Sequence, residues 1–195
     1  MKLNVELSEK SIEQTIKKLQ FAKEQIQTTM QREFLQEICK WIIDKANYYL
    51  SYCDIGQNVK DDISIGWQYT LTKNGAKIIN SAQQAVFVEF GVGIIGREER
   101  HEMVRNGSTD YEYNIGSKIN KETNQWIFNV YNDQDIDIQE QYIIYRTNNT
   151  VKTKGSPAVM YCYNAVVDAK NELEKPNGIF TQKWKTLEQK YMKGI

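Results

Sequence analysis

The N-terminal part of the chain repeats apolar residues with the period of an α-helix. Over residues 8–50 they recur at spacings of three and four, which places them on one helical face. Ser8 can cap the start, and Glu9 lies where the helix dipole favours a carboxylate. One continuous helix would run about 60 Å, more than a domain of this size needs. We therefore expect a break or bend near residues 28–31; the alternative is a first half that projects and packs on something else. The apolar positions are Ile12, Ile16, Leu19, Ile26, Met30, Phe34, Ile38, Trp41 and Tyr48.

A second pattern has the period of a β-strand. Apolar and polar residues alternate from position 63 to 71, as in a strand buried on one face. Asn74 and Gly75 follow, a pair that favours a tight hairpin turn because both tolerate positive φ. The sequence predicts a loop over 54–60 and a returning strand over 76–81. The apolar positions of the first strand are Ile63, Ile65, Trp67, Tyr69 and Leu71.

The middle of the chain is harder to assign. Residues 82–90 form a compact apolar element whose length does not distinguish a short helix from a strand. The glycines at 91 and 93 end this element. Residues 94–124 are polar and punctuated by glycine, which predicts a long loop. Loops of this length in a compact domain are usually mobile or functional.

The C-terminal part returns to regular patterns. Strands are predicted at 126–131 and at about 136–146. Gly155-Ser156-Pro157 is typical of a helix start, with Ser156 as cap and Pro157 at the first position. A final helix has one apolar stripe, formed by Phe180, Trp184, Leu187 and Tyr191.

Strands clustered between helices indicate the α+β class. We expect an antiparallel sheet with the long N-terminal helix and a C-terminal helix packed on one face. Residues 1–175 would form a single domain with the loop 94–124 inserted, and residues 176–195 would form a helical extension.

Composition narrows the classes of function. The 195 residues carry 25 Lys and Arg and 25 Asp and Glu, so the formal net charge is zero. Proteins that grip phosphate backbones usually carry a basic surplus, so we expect no sequence-specific nucleic-acid binding. No apolar run is long enough to cross a membrane, and no signal peptide is apparent. Three separated cysteines fit a reducing cytoplasm, with Cys39 and Cys162 expected to be buried.

Catalytic chemistry has few candidates. His101 is the only histidine, and it lies in a charged run within the predicted loop, where we expect a solvated side chain and no rigidly held base. Arg105 occupies the position where a zinc-protease helix has its second histidine. The cysteines have no C-x-x-C spacing. We therefore predict no enzyme, no catalytic residues and no zinc.

Two further motifs are incomplete. Asp133, Asp135 and Asp137 alternate as in a calcium loop, but that loop's glycine and its final glutamate are missing. Glycines at 91, 93 and 96 match a dinucleotide fingerprint, but no βαβ unit surrounds them. We expect neither a metal nor a cofactor.

The segment 85–93 resembles a known family. Tail-completion proteins of long-tailed phages, also called head–tail joining or neck proteins, carry Ala-x-x-x-Glu-Phe-Gly-Thr after a β-hairpin, and this chain has Ala-Val-Phe-Val-Glu-Phe-Gly-Val after the predicted hairpin. Their Gly-x-Pro-Phe-like turn is similar to residues 155–158, and their loop before the first strand is weakly similar to residues 55–61. The resemblance covers about residues 10–172 in order. Val92 stands for the usual threonine and Ala158 for the aromatic, the loop 94–124 is longer than typical, and residues 176–195 are additional.

The resemblance implies a structural virion protein made in the host bacterial cytoplasm. Such a protein forms a homo-oligomeric ring and contacts neighbouring connector and tail-tube or terminator proteins. For this chain it points to Glu89, Phe90 and Gly91 as residues that shape an assembly surface, with the C-terminal stripe of Phe180, Trp184, Leu187 and Tyr191 as further interface candidates. The alternative is a monomeric enzyme or inhibitor of mobile-element origin that acts through the loop 94–124.

Overall fold

The computed structural model has the predicted α+β fold. It describes residues 9–72, 74–111, 119–120, 125–129, 143–146, 150–153 and 155–192. The helices are α1 Glu9–Ser51, α2 Gln57–Ile65, α3 Ala85–Phe90, α4 Gly93–Glu98, α5 Glu102–Arg105, α6 Tyr161–Glu174 and α7 Ile179–Met192. The strands are β1 Trp67–Thr72, β2 Gly75–Asn80, β3 Ile119–Asn120, β4 Gln125–Asn129, β5 Ile143–Arg146, β6 Thr150–Thr153 and β7 Gly155–Ser156.

The first helix is longer and less interrupted than predicted. α1 runs for 43 residues without a break, so the break expected near residues 28–31 is not found. Thr28 and Thr29 bond their hydroxyls to carbonyls one turn back, at 2.8 and 2.9 Å. Threonine side chains can compete with the helix backbone for hydrogen bonds, but here they are accommodated within the continuous helix. Among the described residues, the second half of α1 packs on the body, against α6, α7 and the hairpin, whereas the first half is largely exposed.

The hairpin is confirmed, with two corrections at its ends. Residues 57–65 form α2, so the predicted loop over 54–60 and the strand start at 63 are wrong. Ile63 is fully buried in the core while Ile65 is 83% exposed, which is the outcome of helical and not strand geometry. Val59, four residues before Ile63, packs on the same core. The register pairs Thr72 with Gly75, so Gly75 begins β2 and does not occupy the turn.

The described residues form two antiparallel sheets, where the sequence predicts one. The hairpin β1–β2 is separate from a four-stranded sheet in the order β3-β4-β6-β5. The strand predicted at 126–131 corresponds to β4 and the end of the one at 136–146 to β5. The alternating aspartates at 133, 135 and 137 lie outside the described residues.

The core lies where α1, α2, α3 and α6 meet. Trp67 at the start of β1 donates to Asn47 on α1 at 2.9 Å and packs edge-on against Tyr161. Tyr49 donates to Asp168 at 2.6 Å, which ties α1 to α6. The buried core residues are Ala46, Leu50, Ile63, Ala85, Tyr161 and Ala165. These contacts position α3 directly beside the start of α6.

The predicted loop 94–124 contains regular structure. α4 and α5 occupy its first part and β3 a short piece near its end. The predicted C-terminal extension is also integrated, because Phe180 of α7 is 1% exposed and packs on Phe34 and Trp41 of α1. α4 and α7 therefore pack on other described elements of the fold.

Candidate functional site

The segment 85–93 is a short helix followed by a sharp exit. α3 is a helix, which resolves the ambiguity between helix and strand for this element. Gly91 ends α3 with φ 74° and ψ 174°, a conformation that is essentially restricted to glycine. A Cβ at this position would lie 2.6 Å from the backbone nitrogen of Ala158 and 2.7 Å from the carbonyl oxygen of Ser156. Gly91 is therefore required both by its own backbone and by the chain that crosses it.

The residues before α6 continue this contact. Val92 forms an isolated antiparallel bridge with Ser156. The backbone N–H of Val159 donates to Val88 at 3.0 Å, and that of Met160 donates to Glu89 at 3.2 Å. Residues 88–92 and 156–160 thus bond to each other along their backbones.

Glu89 caps α6 from a distance in sequence. Its side chain accepts from the backbone N–H of Cys162 at 2.8 Å through Oε2, and from that of Tyr163 at 2.8 Å through Oε1. These are N–H groups of the first helical turn, which have no partner within their helix. A carboxylate there also interacts favourably with the helix dipole. A side chain 73 residues away supplies the cap that helices usually take from an adjacent residue.

The start of α6 therefore differs from the prediction. Gly155 and Ser156 form β7, and α6 begins at Tyr161 after Met160 in a left-handed conformation. The Ser156 cap and the Pro157 first position are wrong, because Glu89 already satisfies the N–H groups farther along. Pro157 lies against Gly91, where its lack of an N–H costs no bond.

His101 completes the arrangement, and the expectation that it is solvated is wrong. It is fully buried, and its Nε2 lies 3.0 Å from Oε1 of Glu89. Its Nδ1 accepts from the backbone N–H of Met103 at 3.0 Å and caps α5. Because Nδ1 accepts a hydrogen bond, the proton is on Nε2, which donates to Glu89. Both ring nitrogens are thus engaged within the chain.

Aromatic rings cover this cluster. Phe90 stacks on Tyr111 at 4.6 Å and contacts the His101 ring at 4.5 Å, while Tyr163 meets His101 edge-on at 5.2 Å. The Tyr111 hydroxyl donates to the carbonyl of Gly91 at 2.8 Å. Glu89 and His101 are both buried, and a hydrogen bond in such low-dielectric surroundings is stronger than one in water.

The thiol of Cys162 has an unusual setting. A cysteine at a helix N-terminus ordinarily has a lowered pKa. Here burial, and then the negative charge of Glu89, raise the pKa of the Cys162 thiol to about 12. Burial is the larger cause of this raised pKa and the charge of Glu89 the smaller one, and together they outweigh the effect of the helix dipole on the thiol.

Cys162 is expected to react slowly with alkylating agents. With a pKa of about 12, its thiolate population at pH 8 is on the order of a thousandfold below that of a free cysteine. Iodoacetamide labelling read out residue by residue by mass spectrometry would measure this. The rate should rise about tenfold per pH unit from pH 7 to pH 10, where a free thiol levels off. Labelling of the native chain as fast as that of the urea-unfolded chain would contradict the account.

The other predicted interface residues line the contact between α7 and α1. Trp184 packs edge-on against Phe34 at 5.2 Å, and the Tyr191 hydroxyl bonds to Glu33. Trp184, Leu187 and Tyr191 are half-buried, while Phe180 is used for internal packing. A contact of the half-buried residues with another subunit stays a prediction.

Sequence reasoning missed two members of the site. His101 was assigned to solvent because its neighbours are charged, although those neighbours point outward and the imidazole inward. Tyr163, the second missed member, lies in the first turn of α6. The pairing of both with Glu89 depends on the chain crossing of residues 88–92 and 156–160, which no local pattern encodes.

The described part of the chain contains neither a candidate membrane span nor a candidate metal site. None of its helices has the length and apolar content needed to span a bilayer. Within those same residues, no three histidine, cysteine or carboxylate side chains come together as a metal site would require.

The chain was compared with protein-family models, with curated proteins and with solved structures, and none of them matches it.

Proposed function

We propose that this chain is a structural protein of a tailed phage or prophage particle. It joins the head connector to the tail by binding, as part of a ring of identical copies, and it is made in the cytoplasm of the host bacterium. The proposal starts from the resemblance at residues 85–93 and 155–158.

One observation carries the proposal. The Glu-Phe-Gly segment and the Gly-Ser-Pro segment, which resemble the family separately, lie against each other. Gly91 contacts Ser156, Pro157 and Ala158, and the Glu89 carboxylate caps the helix that follows them. The glycine and the glutamate of the first motif hold two segments together that are distant in sequence. The two motifs therefore depend on each other. This interdependence supports a shared family architecture over a chance match of short motifs.

The chemistry of the site favours binding over turnover. Glu89 accepts from three groups of its own chain, and His101 uses both ring nitrogens. A general base needs a free lone pair directed at its substrate. The alternative of an enzyme that acts through residues 94–124 would require this arrangement to come apart.

Apolar side chains on the surface also favour assembly. Tyr52 is 75% exposed, Ile65 is 83% exposed and Phe21 is 64% exposed. Large exposed apolar residues that lie together mark interaction sites. Tyr48 and Tyr52 do so, with ring centroids 4.9 Å apart.

Deletion of the gene from the element that encodes it would test the proposal. We expect electron microscopy to show filled heads and free tails that are not joined, with infectious titre reduced to background. A plasmid copy of the wild-type gene should restore joined particles. A plasmid copy that carries Glu99→Ala, which removes an exposed carboxylate, should restore joined particles as well.

The result that would overturn the proposal is equally direct. Joined, infectious particles from the deletion strain would exclude a joining role. Loss of a measurable enzymatic turnover on replacing Glu98, Glu99 and His101 with alanine in the folded protein would favour the alternative.

A further inference from the structure

The first half of α1 extends away from the body of the chain. From residue 13 to 29 the described side chains are exposed, apart from the half-buried Ala22 and Ile26. Met30 is the first buried residue of the helix, at 3% exposure. Residues 9–29 span about 30 Å of helix. Helices in proteins take most of their stability from the packing of an apolar face, and this segment has no such packing within the described residues.

The sequence of this segment has the heptad repeat of a coiled coil. Positions separated alternately by four and three residues form one seam, and only Lys23 interrupts its apolar character. Ile16 is 48% exposed and Leu19 is 45% exposed, so the seam is open. Phe21 lies on the opposite face. The seam positions are Ile12, Ile16, Leu19, Lys23 and Ile26, and Met30 follows them at the body.

We propose that residues 9–29 pair with the same segment of a second copy of this chain as an antiparallel two-stranded coiled coil. This inference rests on the proposed function in one respect: it names a second copy as one partner of a protein that is proposed to assemble.

The position of Lys23 favours an antiparallel over a parallel arrangement of the two copies. In a parallel pair, Lys23 would lie against Lys23 of the other copy, which places two like charges in one layer. In the antiparallel register centred near residue 21, Lys23 lies against Leu19 of the other copy. In the same register, Ile16 lies against Ile26 of the other copy. Ile16, Leu19 and Ile26 thus each have an apolar partner or the aliphatic stem of a lysine.

The residues beside the seam are compatible with this register. Gln20 would face Gln20 of the other copy, Ala22 would face Ala22, and Glu13 would face Gln27. No like charges meet along either edge. Of the other charged residues between positions 13 and 29, Lys17, Lys18 and Glu24 lie off the seam.

The antiparallel direction also places the two folded bodies at opposite ends of the pair. Each body begins at Met30, where the helix enters the core. A two-fold contact of this kind closes at two copies. A ring therefore needs a different surface, such as the exposed Tyr48 and Tyr52 around the C-terminal end of α1, and the two contacts fail independently.

Ile16→Glu is expected to abolish the pairing, because it places a charge in the seam. Sedimentation velocity over a concentration series should show wild type shifting from monomer to dimer, and the variant monomeric throughout. Gln14→Glu, the matched control, adds the same charge outside the seam and should behave as wild type. Unfolding by urea should be unchanged for the body of both variants, since positions 14 and 16 lie outside the core.

Cross-linking tests the direction. With a short thiol-specific cross-linker, Gln20→Cys should link to itself, and Glu13→Cys should link to a differently tagged Gln27→Cys. Glu13→Cys should not link to itself, because the antiparallel register separates the two positions by about 21 Å. The unmodified protein controls for the native cysteines.

Each other outcome overturns the inference. Wild type that stays monomeric, or Ile16→Glu that dimerises like wild type, would exclude pairing through this seam. Self-linking of Glu13→Cys without the mixed product would exclude the antiparallel direction. A monomer in solution together with unjoined heads and tails in the deletion strain would remove only the pairing and leave the proposed function standing.

Discussion

Replacing Glu89 with alanine should lower the free energy of unfolding by about 3–5 kcal/mol, because three donors, one buried and two partly buried, lose their acceptor at once. The donors are the backbone N–H groups of Cys162 and Tyr163 and Nε2 of His101. Each such group costs about 1–3 kcal/mol when it is buried without a partner. The loss is a large fraction of the stability of an ordinary domain. Urea unfolding followed by circular dichroism would measure it.

Glu89→Gln separates the shape of the side chain from its charge. The amide keeps one acceptor oxygen but turns an NH2 group towards donors, so we expect a loss of roughly 1–3 kcal/mol. Glu99→Ala, at an exposed carboxylate, is the control and should change stability by less than about 0.5 kcal/mol. A Glu89→Ala protein as stable as this control would show that the carboxylate does not hold α6.

The second large effect is expected at Gly91. Gly91→Ala should destabilise the chain by about 3 kcal/mol or more, since backbone strain and overlap with packed atoms each cost about 1–3 kcal/mol. The overlap is with backbone atoms of Ser156, Pro157 and Ala158, which cannot rotate away as a side chain could. Thermal unfolding of both proteins would measure the difference.

Gly107→Ala is the matched control for this variant. Gly107 also has a positive φ, of 71°, but a Cβ there would meet nothing within 4 Å. It should therefore show the strain without the overlap, about 1 kcal/mol. Equal losses for the two variants would mean that the crossing of residues 88–92 and 156–160 is looser than described.

Features that depend on local periodicity could be predicted from the sequence, whereas those that depend on long-range contacts such as the pairing of Glu89 could not. The helical stripe of α1 and the hairpin follow from local periodicity, and both are confirmed. The alternation from residue 63 to 71 was misleading, because its first apolar residues belong to the last turn of α2 although their spacing matches that of the strand. Apolar residues at positions 63 and 65 are compatible with a strand and with the end of a helix. Only the packing of Ile63 in the core distinguishes the helix from the strand.

The start of α6 shows the same limitation. Ser156 and Pro157 have the local chemistry of a helix start, yet the helix begins at Tyr161. The decisive acceptor is on α3, and a cap from a distant element cannot be read from the residues beside the helix. His101 is a comparable case, because its charged neighbours indicate solvent while its buried partner is Glu89.

Glu89, Phe90 and Gly91 therefore act first on the fold of this chain. Any assembly surface that they shape is shaped indirectly, through the placement of α6 and of the residues before it. The exposed half of α1 offers a direct contact. This division predicts that variants at residue 16 alter pairing at full stability, whereas variants at residues 89 and 91 alter stability first.

The most direct test of the structural role is the protein content of released particles. Particles from cells that encode this chain would be purified on a density gradient and their proteins quantified by mass spectrometry against the major capsid protein. We expect the chain at a fixed, small copy number per particle, enriched with the joined particles and absent from free tails or heads. A chain that is abundant in the lysate but missing from joined, infectious particles would contradict the account.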